Sequence, residues 1–443
     1  MFKKNIQEKL IFNGSMVNIS KNMKIDKLNN ITKRDITKGT TPTTLGFEIL
    51  NSPTKDNIKF IKIEDIKNGV FKENNYIDLN CHNKLKRSQL EEDDILFSIA
   101  GTIGKTYKIK KEDLPANTNQ AFAIIRLKDK SKVDFYKYYL DYIMESISKN
   151  TQGGVIKNFN LTDLKNVDIL IFEDKDIEKN QTLLNKQKSL IDSYKEKLSL
   201  LEEQESYYQD ELLSGRIRIK LNSENEKVAI DKGFIVNGEL VEGKEKEFEK
   251  WLSVDFKSKV DFYKGNNKNW NHISNKKLFI KEKKSKIKVK EVTNTGEYPF
   301  FNCSETLSKT HNEYINDGEF LLFSTGGKAA VHYYNGKLSY SSDIYCVSIN
   351  NKILPYYAYL YWNKNTDIIW KYFEGTGLKH LKKTLFEKEE VFYPENKIEQ
   401  IFIISVFETV FKQKKLIEEK IKIEEEKMDY LMDELLSGRI RVE

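Results

Sequence analysis

Cysteine is scarce in this chain. Cys81, Cys303 and Cys346 are odd in number and far apart. They build neither a disulfide framework nor a zinc site, and they fit a reducing cytoplasm. Proline is also scarce for the length, six residues with no two adjacent. That excludes an amino-methyltransferase of the Asn/Asp-Pro-Pro-Tyr type, whose catalytic motif needs the pair. The dinucleotide pattern G-x-G-x-x-G is missing, and His82, His272, His311, His332 and His380 show no H-E-x-x-H or metal-ligand spacing. Gly104-Lys105-Thr106 looks like the end of a P-loop. The motif requires glycine five residues before Gly104, and that residue is Ile99. Carboxylate-x-Lys triplets such as Glu425-Glu426-Lys427 arise by chance in a chain so rich in both residues. The expectation is therefore no catalytic residue and no metal ligand. Apolar runs such as Ile401–Val406 are far too short to span a bilayer. Met1–Glu8 lacks a signal-peptide apolar core, so a cytoplasmic location and no membrane contact are expected.

What is present supports folded cores. Hydrophobic residues make up 39% and charged residues 32%, the balance of a globular chain rather than a disordered one. Its 443 residues suggest two to three domains at roughly 150 residues each. The net charge of +7 allows a polyanionic partner without demonstrating one. Eight lysines fall within Lys276–Lys290, alternating in the second part with Ile287 and Val289. The alternation reads as a strand with one solvated face, which is either simply solvated or turned to phosphates.

The chain also repeats itself. Asp210–Ile219, Asp-Glu-Leu-Leu-Ser-Gly-Arg-Ile-Arg-Ile, returns 223 residues later as Asp433–Val442, ending in Val. Repetition settles architecture before any local motif does. Before each copy runs a heptad. Leu184, Gln187, Ile191, Tyr194, Leu198, Leu201, Glu205, Tyr208 and Leu212 alternate in steps of three and four. At the same offset stand Phe407, Val410, Lys414, Ile417, Ile421, Glu424, Met428, Leu431 and Leu435. A 3.5-residue apolar period with charged flanks is a coiled-coil pattern. Pairing with each other is expected, against the alternative of two amphipathic helices each packed on its own domain. Polar Gln187, Glu205, Lys414 and Glu424 weaken the seam, yet can also set its register.

Strand-like runs precede each helix. Ile58–Ile63, Ile95–Ile99 and Ala121–Leu127 lie in the first half; Phe320–Phe323, Val331–Tyr334 and Ile344–Ile349 lie in the second. Phe135–Ile147 and Tyr356–Tyr372 read as aromatic amphipathic helices. Asp94–Lys105 aligns with Glu319–Lys328, and Gln152–Phe159 with Glu374–Leu381, in the same order. The sequence between them differs, so the halves share a scaffold and not a surface. Asn119-Gln120 and Ser342-Asp343 sit at strand starts and either bond to bases or cap turns.

Two divergent α/β domains, two long helices, a tandem repeat and no enzyme motif together resemble the specificity subunit of type I restriction-modification enzymes. The resemblance covers nearly the whole chain. It is carried by Lys38-Gly39-Thr40-Thr41-Pro42, by Asp94–Ser98 with Gly101-Thr102-Ile103-Gly104, by Gln152–Asn158, and by the helix ends Leu212–Arg218 and Leu435–Arg441. The second half departs more: Lys264-Gly265-Asn266-Asn267 stands where Gly-Thr-Thr-Pro is expected, and its Gly-Lys loop is compressed.

The fold this implies is α+β: two tandem α/β target-recognition domains, each followed by a long helix. The two helices would pair as an antiparallel coiled coil with pseudo-two-fold symmetry. The expected division is a first target-recognition domain at 1–175, a central helix at 176–220, a linker at 221–246, a second target-recognition domain at 247–395 and a C-terminal helix at 396–443. Membership implies double-stranded DNA as a partner, with one domain for each half of a split site. It implies two modification subunits that carry S-adenosylmethionine and methylate adenine. Restriction subunits would add ATP- and Mg-dependent translocation and cleavage, so this chain itself binds no cofactor. Competing readings are a DNA-binding module without methyltransferase partners and a structural coiled-coil protein.

An antiparallel pair would give the halves a two-fold relation and make the coil a ruler. The first helix, near Ile177–Leu213, would be about 55 Å long at ~1.5 Å per residue, against roughly 34–36 Å per DNA turn. Gly215 and Gly438 fit left-handed helix ends. Arg216, Arg218, Arg439 and Arg441 either offset helix dipoles or dock the modification subunits. For DNA the candidates are Lys38, Thr40, Lys105, Gln152, Lys157 and Asn158 in the first domain, and Lys264, Lys328, Thr376, Lys379 and His380 in the second. The lysines would neutralise phosphates, and Gln152 and Asn158 could pair with adenine edges.

Overall fold

The computed structural model describes residues 8–12, 15–19 and 23–440, apart from 54, 68, 151–158, 266–269, 293–294, 305–308 and 378. The chain divides into two compact units, Met1–Lys195 with Glu419–Glu443, and Glu196–Glu418. Both divisions fall inside long helices: the central helix Asp174–Leu212 and the terminal helix Lys397–Leu436.

In the first unit, Lys24–Lys27 (β1), Thr37–Lys38 (β2), Ile95–Ser98 (β3), Thr106–Lys108 (β4), Phe122–Ile125 (β5) and Asp168–Ile171 (β6) carry the frame. The main sheet has the order β4-β3-β5-β2, with Phe97 beside Thr106 and Ala123, and Ala123 beside Lys38. Its middle strands are apolar without alternation because both faces are covered. Ile95, Phe97, Ala123 and Ile125 pack with Phe135 and Tyr139 of the helix Val133–Asn150. On the other face Leu96, Phe122 and Ile124 meet Ile61, Tyr107 and Ala116. Separately, β1 pairs with β6, which leads into the central helix.

The second unit opens with Ile217–Leu221 (β7) and Val260–Lys264 (β8), paired antiparallel. Then come Trp270–Ser274 (β9), Phe279–Lys281 (β10), Asn316–Ser324 (β11), Val331–Tyr340 (β12), Ile344–Ile349 (β13) and Glu390–Pro394 (β14). The order β12-β11-β13-β10 repeats the first sheet strand for strand, and β9 pairs with β14 as β1 pairs with β6. Leu321, Phe323 and Val347 pack on Tyr357 and Trp362, while Phe320, Leu322 and Cys346 meet Phe301 and Tyr340. Two strands, Tyr298–Phe301 and Lys309–His311, extend this sheet beyond β12. Duplication therefore reaches the sheet order and not only the motifs.

A further repeated contact joins helix to helix inside each unit. Gln181 Oε1 accepts the Phe135 N–H at 3.0 Å, and Gln400 Oε1 accepts the Leu354 N–H at 2.8 Å. Each long helix thus satisfies an otherwise orphaned amide at the start of its aromatic helix.

Within each unit the long-helix segments run antiparallel. In the first, Gln187 Nε2 donates to Glu424 Oε2 at 2.9 Å, and Lys420 lies over the Tyr194 ring. In the second, Lys414 Nζ donates to Glu205 Oε2 at 2.8 Å. The polar seam residues therefore satisfy one another. Every other seam position expected from the heptad is buried or half-buried. Gly215 and Gly438 both adopt φ of 71°, the left-handed helix ending.

Three expectations change. The stretch 221–246 is not a linker. It holds the helix Ser223–Asp231 and the hairpin Ile235–Val236 with Glu239–Leu240, and the helix Glu245–Ser253 begins inside it. Phe234 packs edge-on to Phe248 and against Trp251, and that apolar load is what orders it. The helix over Tyr356–Tyr372 is two helices, Pro355–Lys364 and Thr366–Lys371, broken at Asn365. Lys276–Lys290 is no single strand: a helix ends at Leu278, β10 at Lys281, and the extended stretch after it makes no ladder. Lysines there are exposed and Ile287 and Val289 half-buried, so the alternation is real without a sheet.

Candidate nucleic-acid interface

One end of each sheet collects the candidate residues. In the first unit β2 and β3 finish there, and β5 and β4 begin there. The Gly39 N–H donates to the Phe122 carbonyl at 3.0 Å and the Thr40 N–H to the Thr118 carbonyl at 3.1 Å. A Cβ on Gly39 would sit 2.3 Å from the Thr118 and Asn119 oxygens, so only glycine lets the chain approach this closely. Lys38 is exposed and Thr40 half-buried beside this staple.

Across the same end, the loop after β3 is tied by Ser98. Its hydroxyl donates to the Thr102 carbonyl at 2.5 Å and accepts the Lys105 N–H at 2.8 Å. Lys105 is exposed. With Lys67, Thr102 and Asn119 it borders a cavity of about 500 Å³. The Asn119 carboxamide oxygen accepts the Ala121 N–H at 3.1 Å, the turn-capping role. Lys38, Thr40 and Lys105 are thus brought together. Gln152, Lys157 and Asn158 lie outside the described residues.

In the second unit the Gly-Lys loop meets the later glycine loop. Gly326 bridges to His380, and the Leu381 N–H donates to the Thr325 carbonyl at 3.0 Å. Thr376, Lys379 and His380 are exposed, and Lys379 stands over the Trp370 ring at 4.9 Å. Lys328 is exposed in the neighbouring turn, where Gly327 takes φ of 77°. Lys328 and His380 therefore belong to adjoining loops.

A cavity of about 200 Å³ opens at this place, bordered by Lys281, Lys283, Lys284, His380 and Lys383. Its apolar wall includes Tyr345 and Phe386, stacked at 4.2 Å. Sequence reading left the lysine run open between a solvated face and one turned to phosphates, and did not place it beside His380. Three of the bordering lysines lie in that run, and only the strand order shows where it goes.

Lys264 is not the counterpart of Lys38. It ends β8, which pairs with β7 away from the main sheet; the strand matching β2 in the sheet order is β10, which ends at Lys281 and leads into Lys283 and Lys284. The misplacement arose because a shared Lys-Gly pair was matched without knowing the topology.

The four arginines separate. Arg216 is exposed and paired with Glu211 at 2.9 Å. Arg218 grips Glu399 through Nε at 2.8 Å and Nη2 at 2.5 Å, the carboxylate being almost buried. Arg439 pairs with Asp433 and Glu434, and Arg441 lies outside the described residues. Burial raises the Cys81 thiol to about 11 and the Cys346 thiol to about 12, which keeps both protonated at neutral pH. No group of His, Cys, Asp and Glu among the described residues could hold a metal ion. No described helix is long and apolar enough to cross a membrane. The two sheet ends present ammonium, hydroxyl, amide and imidazole groups on loops, a composition suited to a polyanion.

Comparison with family models matches residues 9–202 and 267–426 to the type I restriction modification DNA specificity domain. The chain belongs to that family. The two matched regions are the two repeats, and the unmatched stretch between them contains the folded segment 221–246. Among solved structures, the S subunit of a type I restriction-modification system from M. genitalium is similar over 95% of this chain and 96% of its own, at 14% identity and a TM-score of 0.55. A chain from work on complex assembly and conformational transition of the type I R-M system is similar over 95% and 99%, at 11% identity and a TM-score of 0.51. At such identities the likeness shows a shared fold. Comparison with curated proteins found no match.

Proposed function

We propose that this specificity chain is the DNA sequence-recognition subunit of a type I restriction-modification complex. Each sheet end reads one half of a bipartite, asymmetric site. The long helices act as the ruler between the halves, and two adenine methyltransferase subunits dock on the chain. The observation that carries the reading is the duplicated sheet end, alike in strand order and unlike in its loops. Identical ends would read a symmetric site; divergent ones read an asymmetric site. Lys38, Thr40 and Lys105 serve the first half-site; Lys281, Lys328, Thr376, Lys379 and His380 serve the second. Gln152, Lys157 and Asn158 remain candidates for the first, and Lys264 for a backbone contact outside the second sheet end. Arg216, exposed at its helix end, is the first choice among Arg216, Arg218, Arg439 and Arg441 for partner docking. The chain carries no cofactor in this reading; S-adenosylmethionine, ATP and Mg belong to its partners. The central helix, 39 residues long, measures roughly 58 Å at 1.5 Å per residue, enough to exceed one DNA turn.

A genome-wide adenine-methylation map of the source cells, with and without the gene, tests this. Loss of one motif made of two short half-sites around a fixed gap is expected. An active methylation system whose map is unchanged by the deletion would overturn the reading.

A further inference from the structure

The first unit holds a pocket at the end of its sheet away from the candidate DNA interface. There the chain leaves β5 for the helix Val133–Asn150, and leaves β6 for the central helix. The pocket measures about 320 Å³. Its walls are Ile31, Leu127, Ile171 and Phe172, with the Tyr136 ring among them. An apolar cavity of about 150 Å³ accommodates benzene, so this volume admits a molecule of one or two fused rings.

Tyr136 gives the pocket a chemical preference. The helix Val133–Asn150 carries four tyrosines. The Tyr138 hydroxyl donates to Asn185 Oδ1 at 3.0 Å, the Tyr142 hydroxyl donates to Asp433 Oδ1 at 2.9 Å, and the Tyr139 hydroxyl accepts the Leu170 N–H at 3.0 Å. Tyr136 is only 4% exposed, yet its hydroxyl has no hydrogen-bond partner among the described residues. Its oxygen is not sealed in the core either, so the side left open is the pocket it lines. A buried tyrosine hydroxyl ordinarily finds a partner, and a phenylalanine, as at the adjacent Phe135, would fill the same space without an unmet group. Burial raises this hydroxyl to about 12, so at physiological pH it is a neutral phenol that both donates and accepts.

The other polar groups at the rim satisfy one another. Lys132 Nζ lies 2.6 Å from Asp174 Oδ1 and 3.3 Å from Asp129 Oδ2. Lys128 Nζ donates to the Asn30 carbonyl at 2.8 Å, and Asn30 Nδ2 donates to Asp26 Oδ1 at 2.6 Å. Both cations already face acceptors, and the capacity left at the rim is that of carboxylate and carbonyl oxygens. A ligand that brings a donor suits this rim; an anion does not. In the second unit the corner after β13 and β14 is bordered by Glu239, Glu242, Glu245, Glu319 and Glu395 and by no tyrosine, so the site belongs to the first repeat.

We infer that this pocket binds a small uncharged aromatic molecule of one or two rings bearing a ring N–H, which donates to the Tyr136 hydroxyl. Such a ligand touches the sheet end, the aromatic helix and the lead into the central helix at once. It braces the start of that helix against its domain, in a place that the function proposed above leaves unused.

The test uses the full chain, with indole as the probe and indene, of the same size without the N–H, as its control. Saturation-transfer NMR detects contact, and titration gives affinity. Indole is expected to occupy a single site, and indene to bind it about three- to tenfold more weakly. Tyr136→Phe should weaken indole by the same factor and leave indene unchanged. Its melting temperature should not fall, because the hydroxyl holds no partner in the free chain. Ile171→Trp, which fills the pocket from a half-buried strand position, should abolish the binding of both. Should that variant misfold by circular dichroism, the Tyr136→Phe comparison still decides. Indole that does not bind up to its solubility limit overturns the inference. So does equal affinity for indole and indene, indole binding that Tyr136→Phe leaves unchanged, or binding that a folded Ile171→Trp retains.

Discussion

The turn after β3 in the first unit and after β11 in the second is one loop built by different means. In the first unit it runs from Ile99 to Lys105 and is laced to the Ser98 hydroxyl, which both donates and accepts. In the second it is shorter, from Thr325 to Ala330, and the equivalent Ser324 hydroxyl is buried with no hydrogen-bond partner among the described residues. Thr325 makes the tie there, its N–H and hydroxyl both donating to the Asp343 carbonyl, at 2.9 and 2.8 Å. Strand order survived duplication because the central strands are buried on both faces. Loop chemistry did not, because a surface turn needs only some way to satisfy its amides. That freedom is what allows two half-sites to differ on one scaffold.

The largest effects should come where the close-packed places of one unit are set against the open places of the other. Gly39→Val drives a side chain into two carbonyl oxygens and should cost about 3 kcal/mol or more in urea unfolding. Gly377→Ala, in the second glycine loop, meets nothing within 4 Å and should be close to neutral. Equal losses from the two would mean that the close approach of Gly39 to the Thr118 and Asn119 carbonyls carries no particular cost.

Next come two arginines only two residues apart. Arg218→Ala leaves the nearly buried Glu399 carboxylate unpaired, and a loss of about 3 kcal/mol is expected by chemical denaturation. Arg216→Ala removes an exposed pair and should cost no more than about 1 kcal/mol. If Arg216 docks a partner, its replacement should lower partner affinity while leaving the melting temperature alone.

The serines sharpen the opening comparison. Ser98→Ala removes two hydrogen bonds and should destabilise by about 1–2 kcal/mol. Ser324→Ala removes a hydroxyl that has no partner and should be neutral or slightly stabilising by the same measurement.

The smallest effect lies in the seam. Lys427 and Gln187 hold the Glu424 carboxyl below its usual value of 4.5. A depressed carboxylate stabilises the fold above that usual value and loses the contribution as pH falls through the folded one. Melting curves of the unaltered chain and of Glu424→Gln should therefore differ near neutral pH and converge in acid. A constant gap across that range would assign the effect of Glu424 to packing.

Much of this was legible in the residues. The repeat of Asp210–Ile219 at Asp433–Val442 dictated two halves. The heptads dictated which side chains meet, down to polar pairs whose partners became visible only when the segments were seen antiparallel. The left-handed Gly215 and Gly438 followed from the need to end a helix cheaply. Periodicity and steric rules act over a few residues, so sequence carries them directly.

The sheet ends depended on long-range topology. The stretch Lys281–Lys284, and not Lys264, ends and follows the strand that matches the one ending at Lys38, because strand order, and not a shared Lys-Gly pair, decides which loops become neighbours. The segment 221–246 folded because Phe234 found Phe248 and Trp251, a contact whose polar surroundings in sequence conceal it. His380 joined the Gly-Lys loop through a backbone bridge, which leaves no mark in side-chain pattern. By itself the sequence determined that this chain is a duplicated, coiled-coil-bearing α/β protein without an enzyme's motifs. Only the tertiary structure decided which lysines share a sheet end, because burial on two faces and hydrogen bonds between distant strands set that neighbourhood.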